Sequence, residues 1–513
     1  MADPNNHKFS EVPSAEIQRS SFDRSHELKT TFNGGDLVPI FIDEALPGDT
    51  FNLKASVFSR MSTPIFPIMD NVYLDFFFFA VRKSLLWENW SKMNGEQDNP
   101  GDSTDFTIPQ TVAPAGGFTT HSLADHFGIP IKVENLSVNA LPFRAYNLVI
   151  NEWFRDQNLQ NSHPVPKDNG PDPATNYKIV KRGKRHDYFT SSLPWPQKGD
   201  SVSIPLGTTA PVSGAPSLST PGGGIGQMTT NVSDKVLASQ GQSTDGGTVT
   251  MTGLSADLTQ AAQVTINTMR QGFQVQKMLE RDARGGTREK EVLKAHFGVD
   301  SPDGRLFRPE YLGGGTVVVN QNPVPQTEST NQATTPQGNL AAFATASGSN
   351  MGFTKSFTEH NIVIGLVSAR ASLNYQQGLN RMWSRRTRFD HFWPALSQIG
   401  EQTVLNKEIY AQGTAEDDQV FGYQERYAEY RYKPSLITGQ FRSTADQPLD
   451  VWHLAEHYTQ LPKLDDSFIQ VQAPFKRVIA VQNQPDFIAD FHFDFRCTRP
   501  MPLYGVPGLI DHF

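Results

Sequence analysis

Apolar and polar residues alternate most regularly toward the C-terminal end of the chain. From Asp490 to Arg496 (DFHFDFR), Phe491, Phe493 and Phe495 fall on one face and Asp490, His492, Asp494 and Arg496 on the other, the period of a half-buried strand. Phe51 to Arg60 repeats the pattern, with Phe51, Leu53, Ala55 and Val57 alternating with Asn52, Lys54 and Ser56. Val72 to Val81 (VYLDFFFFAV) is apolar at almost every position, which predicts a central strand covered on both faces. Leu37 to Ile42, Ile362 to Val367 and Val478 to Val481 are further strand candidates.

Helical spacing occurs between these runs. Phe143, Tyr146, Ile150, Trp153 and Phe154 lie behind Pro142 on one face of an amphipathic helix. Ile266, Met269 and Phe273 begin a second helix that ends near Gly285 and Gly286, and Arg288 to Phe297 makes a third that Gly298 can cap. The helices do not alternate regularly with the strands, which argues against parallel βαβ units and for a mainly β framework with helical insertions.

Other stretches carry no period. The chain up to Thr31 is polar with scattered apolar residues, as expected of an extended arm, 1–31, ordered against a partner. Ser201 to Ser255 is rich in Gly, Ser, Thr and Pro, with Asp234, Lys235 and Asp245 as its charges, and no aromatic residue lies between Trp195 and Phe273. Such a segment cannot form its own core. Asn320 to Asn350, rich in Gln, Thr, Asn and Ser, is expected to be a second low-complexity loop.

Composition sharpens this picture. With 513 residues the chain suits about three ordinary domains or one large domain with long insertions. Its 40 glycines and 35 prolines favour strands joined by turns and loops. The formal charge is -8, so any nucleic-acid binding must be local. Cys497 stands alone, which excludes an internal disulfide and a cysteine-rich metal site. The start, MADPNNHKFSEVPS, has no signal-peptide character, and no apolar run reaches the ~18 residues of a membrane span.

Candidate chemistry is sparse. His453, Glu456 and His457 match H-x-x-E-H, which on a helix could hold zinc with Glu456 as base; flanking Pro448 and Pro462, with Trp452 and Tyr458, suit a packed aromatic corner instead. Asp490 and Asp494 share a strand face but lie roughly 13 Å apart, beyond a glycosidase pair. Nucleophile-elbow and phosphate-loop motifs are absent, and Gly222, Gly223, Gly224 and Gly226 lack the preceding strand of a dinucleotide site. Gly313 to Gly315 precede their strand, the wrong order for such a site. Neither metal nor organic cofactor is implied.

Two basic clusters stand out. Asn380 to Trp393 (NRMWSRRTRFDHFW) interleaves Arg381, Arg385, Arg386 and Arg388 with Trp383, Phe389 and Trp393. Arginine on phosphates and rings on bases is the chemistry of single-stranded nucleic-acid surfaces. The second cluster is Lys178, Lys181, Arg182, Lys184 and Arg185. Each also suits a solvated face or a subunit contact through Arg–carboxylate pairs.

At these residues a resemblance enters. SFDRSHELKTTFNGGDLVPIFIDEALPGDTFNLK (Ser21 to Lys54), TPIFPIMDNVYLDFFFF (Thr63 to Phe79), LPFRAYNLVINEWFRDQNL (Leu141 to Leu159), ARGGTREKEVLKAHFGVDSPDGRLFRPEYLGG (Ala283 to Gly314) and PLYGVPGLIDHF (Pro502 to Phe513) resemble the major capsid proteins of microviruses, in particular the gokushovirus branch. The resemblance spans the chain. It implies an eight-stranded antiparallel jelly roll over 32–513, with long loop and helical insertions. It also implies a T=1 icosahedral capsid of single-stranded DNA phages, in which one variable insertion projects near the three-fold axes. Residues 201–255 lie where that insertion is expected, with Val212, Leu218, Ile225 and Val236 available for contacts there.

Implied partners are other capsid subunits, packaged single-stranded DNA, a small basic DNA-binding protein, scaffolding and pilot proteins, and a host-cell receptor. The implied location is the virion, assembled in the host cytoplasm, and no enzymatic activity is expected. The other class compatible with β patterning is a β-sandwich hydrolase or carbohydrate-binding module, which would need polar groups converging in one pocket.

Overall fold

A computed structural model describes residues 17–203, 266–300, 302–329, 331, 333 and 336–504, with the backbone of short strands between 212 and 256. Gln197–Gly286 forms one compact unit and the chain on either side of it forms the other.

The larger unit is built on nine antiparallel strands: β1 (Ser20–Asp23), β2 (His26–Phe32), β3 (Val38–Ala45), β4 (Thr50–Met61), β5 (Val72–Arg82), β6 (Glu310–Pro325), β7 (Leu340–Ser356), β8 (Asn361–Ala371) and β9 (Phe487–Arg499). β1 and β2 pair with successive stretches of β9 and together fill one strand position. The order is then β1/β2, β9, β4, β7, β6, β5, β8, β3. It separates into two four-stranded halves, β1/β2-β9-β4-β7 and β6-β5-β8-β3, joined through the β6–β7 hairpin. One antiparallel sheet curled so that its halves face each other in this strand order is the jelly roll of viral capsids.

The phenylalanines explain why the halves close. Phe487, Phe491, Phe493 and Phe495 of β9 all turn inward and are essentially fully buried. Across the sandwich Phe41 packs on Phe493 and Phe495 with ring centroids 5.5 and 5.4 Å apart, Phe76 on Phe491 at 6.0 Å, and Phe78 on Phe353 at 5.6 Å. Such aromatic pairs add about 0.5–1.5 kcal/mol each beyond area burial.

β5 and β8 are covered on both faces, as the continuous apolar run of β5 predicts. On the face away from the sandwich, Phe79, Val81, Ile362 and Leu366 pack against Trp87, Phe143, Tyr146 and Ile150. The last three come from α1 (Leu141–Val149) and the wider π-type turn, Ile150–Phe154, that continues it. Buried ion pairs fasten this layer. Arg144 donates to both carboxylate oxygens of Asp172 at 2.7 and 2.6 Å, and Asp75 of β5 accepts from Arg182 at 2.5 Å, Arg370 at 2.6 Å and Thr316 at 2.7 Å. Burial acts to raise the Asp75 pKa, but these donors outweigh it and hold the carboxyl below its ordinary value.

Beside several single-turn helices, two longer ones, α2 (Ile266–Gly285) and α3 (Glu289–Phe297), lie where the spacing places them, and Gly298 closes α3 at φ 70°. No helix among the described residues is long and apolar enough to cross a membrane.

Several elements depart from expectation. Val478 to Val481 is not a strand: Phe475–Val478 is a helical turn, because Phe475, Val478 and Ile479 at helical spacing all reach the core. Residues 320–325 and 340–350 are not loop but belong to β6 and β7, with Ala342, Ala344 and Ala346 turned inward, small residues that a survey for bulky apolar positions passes over. Within the arm drawn as 1–31, residues from Ser20 pair with this chain's own β9, and Phe32 stacks on Phe487 at 5.4 Å. The arm before residue 17, with Phe9, lies outside the described residues. Gly313 to Gly315 serve packing: a Cβ on Gly314 would stand 2.0 Å from the Phe76 carbonyl oxygen.

Within 201–255, Val212–Ser213 pairs with Ser255–Ala256, and Ile225–Thr230 pairs with Ser217–Ser219 and Val236–Ala238. Val212, Leu218, Ile225 and Val236 sit on these strands; their side chains lie outside the described residues.

Replacing Phe493 by Ala should cost about 3–5 kcal/mol in denaturant unfolding of the unassembled subunit, against under about 1 kcal/mol for Ile488→Ala on the exposed face of the same strand. Asp75→Ala, which leaves Arg182 and Arg370 without their shared carboxylate, should cost about 3–5 kcal/mol in the same measurement.

Candidate nucleic-acid interface

The arginine–aromatic segment lies in the excursion between β8 and β9. It is a chain of short turns, Arg381–Ser384, Arg388–Asp390 and Pro394–Leu396, rather than one helix. Asn380 starts the first by accepting from the Met382 amide at 2.9 Å. Asp390 holds the second, its carboxylate accepting from the amides of Arg386 at 2.8 Å and Thr387 at 2.6 Å. Those backbone donors pull the Asp390 pKa down to about 2.

The four arginines divide into two kinds. Arg381 donates to the Thr403 carbonyl at 2.6 Å and to Glu408 at 3.0 Å, and lies 3.8 Å from Glu429. Arg385 donates to Glu429 at 3.3 Å and stacks on Tyr430, 4.2 Å from the ring centre. Both carboxylates are buried, so these arginines neutralise them and anchor the segment from beneath. Arg386 and Arg388 point outward; neither has an ion-paired carboxylate among the described residues, and Arg388 stacks on Trp393 at 4.7 Å. Trp383 and Phe389 are 72% and 63% exposed.

Spacing alone could not separate these roles, because Glu408 and Glu429 come from a different part of the excursion. Phe392 and Tyr430, both exposed, extend the aromatic surface and were missed, Phe392 although it lies inside the quoted run.

The second basic cluster is used mostly inside the subunit. Lys181 pairs with Asp36 at 3.2 Å, Arg182 with Asp75, and Lys184 with Glu456 at 2.9 Å. The H-x-x-E-H stretch is irregular chain, not a helix, so His453 and His457 are not stacked one turn apart. Both nitrogens of His453 are engaged: Nε2 donates to the Phe441 carbonyl at 2.8 Å, and Nδ1 accepts from the Ala455 amide at 3.1 Å. Burial and the nearby Arg477 hold its pKa below the ordinary histidine value. Glu456, spent on Lys184, is not a free base. Among the described residues no group of three His, Cys, Asp or Glu is placed to hold a metal.

Arg381→Ala should leave the buried Glu408 without its paired cation and lower subunit stability by about 3 kcal/mol, whereas Arg386→Ala should change it by under about 0.5 kcal/mol, read by denaturant unfolding.

Comparison with known proteins agrees with the fold. Residues 10–509 match the family described as "Capsid protein (F protein)". Capsid protein VP1 of Bdellovibrio phage phiMH2K is 52% identical, with 99% of each chain aligned. Capsid protein VP1 of Chlamydia phage 1 is 44% identical and that of Spiroplasma virus 4 is 38% identical, each over 98% of this chain and 97% of the relative. The hydrolase or carbohydrate-binding reading finds no support, and this chain belongs to the F capsid protein family of microviruses, as a structural, shell-forming protein of the virion rather than an enzyme.

Proposed function

We propose that this capsid protein closes a T=1 icosahedral shell around single-stranded DNA, and that Arg386, Arg388, Trp383 and Phe389 meet the DNA on the inner wall. The observation that carries the reading is a surface where Arg386 and Arg388 have no ion-paired carboxylate among the described residues and Trp383 and Phe389 are exposed, on a chain of net charge -8. A shell of that charge repels its cargo unless positive charge is concentrated inward. Arginine–phosphate contacts and base stacking on exposed rings supply both terms of single-strand binding. Arg381 and Arg385 act here as positioning residues. Residues 201–255 form the outward projection that meets the host-cell receptor, with Val212, Leu218, Ile225 and Val236 in contact around the three-fold axis. The arm before β1 and the tail from Met501 to Phe513 lie along neighbouring subunits, since Leu503 and Tyr504 are 57% and 79% exposed on a single subunit. A small basic DNA-binding protein, scaffolding and pilot proteins complete the partners, with assembly in the host cytoplasm.

Virions carrying Arg386→Ala with Arg388→Ala should assemble but hold less DNA, or lose it at moderate salt, as read by the absorbance ratio of purified particles; undiminished DNA content overturns the assignment. A phage with residues 201–255 exchanged for those of a relative should take on the relative's host range, and an unchanged host range overturns the recognition role.

A further inference from the structure

On the face of β5 and β6 away from the sandwich lies a cavity of about 480 Å³, within the size range of small-molecule sites. One wall is aromatic, with Phe79, Trp153 and Tyr311 packed at centroid distances of 5.5 to 5.9 Å. Trp153 and Tyr311 remain 37% and 44% exposed. The lining is also cationic, with Arg155, Arg182, Lys184, Arg185 and Arg288 against Asp156 as its carboxylate.

Charge accounting singles out two of these cations. Arg182 is spent on Asp75, Lys184 on Glu456, and Arg288 on Glu152 at 3.1 Å and Glu291 at 2.8 Å. Asp156 is turned to its own chain, accepting from the amides of Asn158 at 2.8 Å and Leu159 at 3.2 Å. Arg155 and Arg185 have no ion-paired carboxylate among the described residues. Arg155 donates to the Gln160 carbonyl at 3.1 Å, while its Nε is buried without a hydrogen-bond partner. Burial and the adjacent Arg288 hold Arg155 below its ordinary pKa, outweighing the opposing pull of Glu152 and Asp156.

We propose that this cavity is a second single-stranded nucleic-acid site, separate from the Arg386–Arg388 surface, which takes one nucleotide with its phosphate on Arg155 and Arg185 and its base against Trp153 and Tyr311. Arg308 already stacks over the Trp153 ring at 4.6 Å, so the base meets the part of Trp153 and Tyr311 that stays exposed; an acidic peptide would satisfy the arginines without using that aromatic surface, whereas a nucleotide uses both. The inference rests on the reading that the shell holds DNA, but it concerns different residues and is tested on the unassembled subunit.

The test titrates full-length protein with a fluorescent ten-nucleotide oligo-dT, an abasic chain of equal length and polyglutamate. Arg185 is exposed, so Arg185→Ala tests the site without touching the core; Arg155→Met is the second variant. Each should weaken oligo-dT binding several-fold and flatten the dependence of log K on log salt by about 0.7. An oligonucleotide carrying 2-aminopurine should be quenched on binding, less so with Tyr311→Leu. Unchanged binding in both arginine variants, with binding lost in the Arg386→Ala, Arg388→Ala control, overturns this site and leaves the first one standing. Equal affinity for the abasic chain, or stronger binding of polyglutamate, overturns the nucleotide assignment. No oligo-dT binding by the wild-type protein overturns both.

Discussion

β5 must be buried on both faces. Phe76 and Phe78 point into the sandwich while Phe77, Phe79 and Val81 point the other way. At about 1.5–3 kcal/mol for each large apolar side chain removed from water, neither face can be left wet. A jelly roll alone covers one of them. The insertion between β5 and β6 is therefore a structural requirement of this sequence: α1 and the turn after it are the second cover, and they hold the sheet half that carries β5 and β8 between two cores.

Charge follows the same logic. Covering the outer face encloses Asp75, and the cost of removing a carboxylate from water is offset only where cations and donors converge on it. Arg182 arrives from the insertion, Arg370 from β8 and Thr316 from β6, so one acidic residue ties three separate parts of the chain together. Arg144 and Asp172 do the same deeper in the cover. In the β8–β9 excursion, Glu408 and Glu429 take up Arg381 and Arg385. Many of the cations among the described residues are committed to holding the chain's own layers together, so position in the sequence does not tell which arginines are left for a polyanion.

The strands with strict alternation, β4 and β9, and the doubly apolar β5 were legible from the sequence because their period is local: side chains two residues apart share a face whatever the partner strand is. Gly298 and the spacing in α2 and α3 belong to the same class. The pairing of β6 with β7 was not legible, since the inward positions where β7 meets β6 are Ala342, Ala344 and Ala346, too small to stand out as an apolar period. Val478 to Val481 misled for the related reason that a short apolar run fits a helical turn as well as a strand.

The chain by itself determined the fold class, the identity of the core phenylalanines and the membership of the capsid family, all carried by local periodicity or by long matching segments. Which arginine is structural and which is free was decided by tertiary structure alone. Arg370 meets Asp75 across 295 residues of sequence, and Arg381 and Arg385 look identical to Arg386 and Arg388 until Glu408 and Glu429 are folded beneath them. An ion pair depends on distance in space, and no local pattern records which carboxylate the fold will bring within reach.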